Sequence, residues 1–145
     1  MTAAVLDLFT EPEFFFRTAE PDTLAEHEIT RLLDDTHLIH DDDQVIGLWA
    51  IEQIGGDHGC HYQLHLRLTA AVPDERWERA YHDVVAAIRH SREVVRLQQV
   101  IGEFDERGLR ICRGLGIPED GTLRNVVVHG GRRYGHVYFG HIEEP

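Results

Sequence analysis

Between Cys60 and Arg92 the hydrophobic pattern changes period once. From Cys60 to Leu68 the apolar residues Tyr62, Leu64, Leu66 and Leu68 alternate with His61, Gln63, His65 and Arg67, the period of a strand with one face in a core. From Asp74 to about Arg92, Trp77, Tyr81, Val84, Val85 and Ile88 recur at three- and four-residue intervals, the period of an amphipathic helix. A strand that passes through a short loop into a long helix needs a sheet for that helix to cover. A pure helix bundle and a pure sandwich are therefore excluded.

The flanking segments extend the pattern. Residues Met1 to Pro12 read as a loose leader, and the aromatic run from Glu13 to Arg17 as a short strand. Thr23 with Glu26 three residues on starts a helix carrying Leu24, Ile29, Leu32 and Leu33. His37 to His40 and Val45 to Ile54 make a hairpin across Asp41, Asp42 and Asp43, and Gly55 to Gly59 form the next turn. Val94 to Ile101 is a strand and Asp105 to Gly114 a short helix. Leu123 to Val128 and Tyr134 to Ile142 close the chain as a hairpin around Gly130 and Gly131. With 145 residues, 42% of them hydrophobic, residues 13–145 suit one α/β or α+β domain with a mixed sheet.

Charge narrows the chemistry. The chain has 14 basic and 26 acidic residues, a net of -12, and every basic residue is Arg. Without Lys there is no lysine Schiff base, hence no covalent pyridoxal-phosphate or aldolase chemistry, and no phosphate-binding Walker lysine. The acidic balance disfavours broad nucleic-acid binding. No apolar run reaches the roughly 20 residues of a membrane span, so a soluble cytoplasmic protein is expected. Cys60 and Cys112 form no C-x-x-C pair, and eleven histidines include no H-E-x-x-H or Cys/His zinc spacing, so free thiols and no metal are expected.

The stretch FDERGLRICRGLGI, followed by EDGTLRNVVVHGGRRYGHVYFG, resembles the GNAT superfamily of N-acyltransferases. Gly116 and Ile117 fall at the family's Gly-Phe position, Glu119, Gly121 and Arg124 on its E-x-G-x-x-R strand, and Gly131 in the turn before the last strand. Asp105 stands where an Asn often begins the helix and Gly108 where an Ala follows. The resemblance spans Glu13 to Ile142 and implies a GNAT-like mixed, mostly antiparallel sheet flanked by helices. It also implies that the strand at Cys60 to Thr69 diverges from the one at Val94 to Ile101, opening a cleft for the acyl donor.

The same resemblance implies acetyl-CoA or another acyl-CoA as donor, its pyrophosphate held by a glycine-rich loop at a helix N-terminus. That segment here contains Ala71, Val72, Arg76, Trp77, Arg79 and Ala80. Asp74, Trp77 and Arg79 stand at the three motif positions, where side chains obstruct a close backbone approach. Acetyl-CoA is accordingly expected to bind weakly or not at all. Arg76 and Arg79 read either as side-chain grips on phosphate or as helix-surface ion pairs.

Cys112 aligns with the family's tyrosine acid, and Glu52, His61 and His65 are the candidate bases. Catalysis is thus assigned to Cys112 as donor, with His65 or Glu52 as acceptor. Two functions remain open. One is acyl transfer from a thioester to an amine of a small molecule or peptide, by a bacterial cytoplasmic enzyme that acts alone or as a homodimer. The other is a GNAT-fold protein without acetyl-CoA, using an aminoacyl-tRNA or carrier-protein donor, running another reaction, or serving as a binding module.

Overall fold

The computed structural model describes residues 3–56 and 59–142. Along the chain run α1 (Ala3–Leu8), a 3-10 turn (Pro21–Thr23), α2 (Glu26–Leu32), β1 (His37–Asp41), β2 (Gln44–Ile54), β3 (His61–Leu68) and α3 (Asp74–Ser91). β4 (Arg96–Gly102), α4 (Glu106–Gly114), β5 (Glu119–His129) and β6 (Arg132–Ile142) follow. The expected turn after β2 includes Asp57 and His58, which lie outside the described residues.

The strands form one six-stranded sheet in the order β1-β2-β3-β4-β6-β5. Every pairing is antiparallel except β3 with β4. A parallel pair needs a crossover, and α3 supplies it. The helix packs Trp77, Ala80, Tyr81, Val84, Val85 and Ile88 with Tyr62, Leu64, Leu66 and Leu68 of β3. α4 adds Ile111 and Cys112 to this core. A second core lies around Leu48 and Ala50 of β2, covered by Val5, Leu8, Phe9, Phe14, Phe16 and Ile29. β2 is therefore buried on both faces, which accounts for its nearly continuous apolar run.

Two expectations for the N-terminal part are corrected. The segment taken as a loose leader contains α1, and Val5, Leu8 and Phe9 are buried at 3, 4 and 2% exposure. Their spacing of three and four residues is a helical stripe too short to stand out by periodicity alone. The aromatic run is not a strand. Phe14 and Phe16 both enter the second core while the chain reverses at Arg17, whose φ is 60°. Likewise α2 starts later than Thr23 predicts. Glu28 Oε1 accepts from the Ala25 N–H at 3.0 Å and fixes the first turn, while Thr23 ends the preceding 3-10 turn.

β3 and β4 are paired only at His61↔Arg96, Tyr62↔Leu97 and Gln63↔Gln98. Beyond that point β4 stays with β6 as far as Gly102, and β3 leaves it. The fork is pinned by Gln98, whose Nε2 donates to Gln63 Oε1 at 3.0 Å and whose Oε1 lies 2.9 Å from His61 Nε2. This is the divergence expected between the two strands.

Candidate active site

The fork holds a cavity of about 310 Å3, lined by residues 63–67 of β3, residues 99–102 of β4, Phe104, Asp105 and His136, with residues 15–19 across its mouth. That crossing segment is fastened to the β5–β6 turn. Phe15 meets the rings of Phe104 and His129 edge-on at 4.9 and 5.3 Å, and Phe104 stacks on His129 at 4.2 Å. His129 Nδ1 lies 2.8 Å from the Ala19 carbonyl, and the Gly130 N–H donates to Glu20 Oε1 at 2.8 Å.

Alternation along β3 puts His61, Gln63, His65 and Arg67 on the face opposite the leucine core. The β2–β3 register of Ala50↔His65 and Glu52↔Gln63 sets Glu52 diagonally across from His65. Glu52 Oε1 lies 2.5 Å from His65 Nε2 and 3.0 Å from Arg17 Nη2. Arg17 Nη1 donates to the carbonyls of Leu32 and Asp34 at 3.0 and 3.3 Å, so the end of α2 holds the guanidinium in place. Burial works against the Glu52 charge, but hydrogen bonds from Arg17 and His65 outweigh it and hold the carboxyl below its ordinary value. Burial, aided by Arg17, pushes the His65 pKa down against the pull of Glu52.

These directions fix the protonation pattern near neutral pH. Glu52 is ionised and only accepts, so His65 Nε2 carries the proton and Nδ1 keeps a lone pair. His65 and Arg17 also line a second, more open recess of about 680 Å3 with Arg31, Leu32, Asp34, Asp35, Ile51, Glu52 and Gln53. The imidazole therefore borders two cavities. Half-burial also lowers the pKa of His136, at the far wall of the fork.

Arg67 is 4% exposed and donates through Nη1 to Asp105 Oδ2 at 2.5 Å. Its guanidinium lies 4.8 Å from the Trp77 ring and 5.2 Å from Phe15. Asp105 also caps α4, its Oδ1 accepting from the Gly108 N–H at 3.0 Å. A Cβ on residue 108 would lie 2.3 Å from Asp105 Oδ2, so glycine there allows the carboxylate to turn back toward Arg67. The departures at 105 and 108 from the family pattern are thus one arrangement with Arg67.

Cys112 stands apart from the cleft. It is 3% exposed within the α3–α4 core, and burial, with Asp105 adding to it, raises its thiol to about 12. At that value it is neither a ready proton donor nor a thiolate. Cys60 is half-buried and also free.

The fit of coenzyme A can be judged from the loop before α3. Ala71 is exposed and Val72 half-buried, and Trp77 and Ala80 are in the core. Arg76 is spent on Asp41, with Nε at 3.0 and 3.1 Å from its two oxygens, while Arg79 is exposed. The loop's own N–H groups are engaged. Ala70 donates to Glu11 Oε1 at 2.9 Å and Val72 to the Thr69 carbonyl at 3.3 Å. Arg107 fills the adjoining space, donating to the carbonyls of Thr69 and Val72 at 3.1 and 2.7 Å and lying 4.9 Å from the Trp77 ring. A main-chain pyrophosphate cradle is not formed, and these residues do not fit the nucleotide end of coenzyme A.

Sequence reasoning missed Arg17, Arg67, Arg107 and Glu11. Arg67 was signalled by its place on the polar face of β3, whereas the others reach their partners only through the tertiary fold.

No protein-family model and no curated protein matches the sequence. Solved structures do. A ribosomal-protein-alanine N-acetyltransferase from Brucella melitensis superposes with a TM-score of 0.77 at 15% identity, over 97% of this chain and 93% of that one. A probable GNAT-family acetyltransferase from Chromobacterium violaceum gives 0.72 at 18%, over 97% and 80%. The ribosomal L7/L12 α-N-protein acetyltransferase RimL, in complex with coenzyme A, gives 0.76 at 11%, over 96% and 86%. The chain has the GNAT fold, with the β3–β4 fork as its central opening. Among the described residues no helix is long and apolar enough to cross a membrane.

Proposed function

We propose that the chain is an acyltransferase that moves an acyl group from a thioester to the amine of a small molecule or peptide. The observation that carries this reading is the placement of His65, held by Glu52 on the side of the recess, between two cavities. A transferase must bring donor and acceptor to one base from separate directions. The fork takes the acyl thioester, and the recess beside α2 takes the amine, whose ammonium form suits Asp34, Asp35 and Glu52. His65 Nδ1 takes one proton from the bound ammonium, the freed amine nitrogen attacks the acyl carbon, and its second surplus proton passes to solvent. The carbon–nitrogen bond forms, the carbon–sulfur bond breaks, and the thiolate leaves to be protonated from solvent. Fold similarity to GNAT acetyltransferases supports the reaction class by analogy. A bacterial cytoplasm is the setting we assign, with the enzyme acting alone or as a homodimer.

A second reading, a GNAT-fold protein that does not use acetyl-CoA, is favoured by the filled loop before α3. It is compatible with acyl transfer from another thioester.

The pH profile tests the base. His65 must be neutral, and its pKa lies below the ordinary 6.5. Thiol release from S-acetyl-pantetheine with an amine panel should therefore lose rate only on the acid side, with a midpoint below pH 6.5, and be level at neutrality. Glu52→Gln removes the one group that raises His65 and should move that midpoint lower still. A limb centred above pH 7 would assign the base to another group.

A further inference from the structure

We infer that the loop at residues 69–73 is closed to nucleotide pyrophosphate because Glu11, from the same chain, already occupies its anion position. This rests on the acyl-transfer reading of the fork and narrows the donor to a thioester of an uncharged thiol arm, such as pantetheine, without an adenine nucleotide. The Glu11 carboxylate makes the contacts a phosphate would make. Oε1 accepts from the Ala70 N–H at 2.9 Å and Oε2 from the Thr69 hydroxyl at 2.6 Å. α1 ends three residues earlier, with Val5, Leu8 and Phe9 locked into the second core, so the segment that delivers Glu11 is anchored.

The rest of the loop is used up as well. Val72 N–H bonds to the Thr69 carbonyl at 3.3 Å, and the Ala71 N–H lies 3.4 Å from the Thr69 hydroxyl oxygen. Arg107 and Arg110 of α4 pair with Asp74 at the start of α3, with Nε–oxygen distances of 3.2 and 2.8 Å, and Arg76 in the first turn of α3 is held by Asp41. Arg107 also bonds two loop carbonyls. A pyrophosphate would have to displace one carboxylate, approach a second, and break these pairs, and like charges at such range repel. The fork itself, between β3 and β4, is untouched by this closure and remains available to a thiol arm.

The experiment uses the full chain labelled with 15N. Calorimetric titrations with acetyl-CoA and with S-acetyl-pantetheine should give dissociation constants within about threefold of each other, because the nucleotide half finds no partner. Millimolar inorganic pyrophosphate should leave the Ala70 amide resonance unmoved. In Glu11→Ala, which removes the acceptor, the Ala70 amide should exchange with solvent faster than in the native protein. Acetyl-CoA binding tenfold or more tightly than S-acetyl-pantetheine, or pyrophosphate moving the Ala70 to Val72 amides, would overturn the inference. So would an Ala70 amide in Glu11→Ala that exchanges no faster than the native one. If neither thioester binds while Ala70 stays silent to pyrophosphate, the closed loop stands and the acyl-transfer reading falls instead.

Discussion

Replacing His65 by Gln is expected to lower turnover about 10²–10⁴-fold, the contribution of a well-placed general base. Glutamine preserves size and the contact to Glu52, but it offers no basic nitrogen. The loss should fall mainly in kcat, since the imidazole acts when the amine attacks and contributes little to ground-state binding. The measurement is thiol release from S-acetyl-pantetheine with an amine panel, beside circular dichroism to establish that the variant is folded. Cys112→Ser should keep near-native turnover in the same assay, because that thiol is buried in the core and held protonated. Full activity in His65→Gln would leave positioning by backbone and water as the better account.

Asp105→Ala is expected to be the most destabilising change at the site. Arg67 is 4% exposed, burial pushes its pKa down while Asp105 opposes that shift, and a guanidinium cannot shed its charge in a protein. Removing the carboxylate leaves an uncompensated buried cation, which costs about 3–5 kcal/mol. The lost cap on Gly108 adds roughly 0.5–2 kcal/mol. Urea unfolding measures the sum. Adding Arg67→Met should recover a large part, because a buried pair replaced by apolar groups is often close to neutral. A single-variant loss under about 1 kcal/mol would mean that Arg67 finds other compensation.

How much of this was legible in the sequence follows from the range of the interactions. The β3 alternation and the α3 stripe are local periodicities, and both elements stand within a residue or two of their expected bounds. The motif after Phe104 placed α4 and the final hairpin, and the GNAT order predicted the fork. The aromatic run at residues 14–16 misled because aromatic residues favour strands in general, whereas here each ring finds a separate place in the second core or the cleft mouth. Glu52 and His65 were each visible as candidates, but their contact depends on strand register. Arg17 lies 35 residues from Glu52 and Glu11 lies 59 from Ala70, distances no local pattern spans. Cys112 aligned with a catalytic position, yet its side chain packs into the core rather than lining the fork. Trp77 was read as an obstruction, and the structure adds that Arg67 and Arg107 lie over its ring.

The central claim is that the fork between β3 and β4 holds the acyl donor beside His65. Titrating S-acetyl-pantetheine into 15N-labelled protein and following backbone and imidazole resonances tests it most directly. The account predicts saturable shifts at residues 63–67 and 99–102 and in the His65 ring. Shifts confined to the open groove of Val5, Thr30, Leu33 and Leu38, or a fork silent at millimolar ligand, would contradict it.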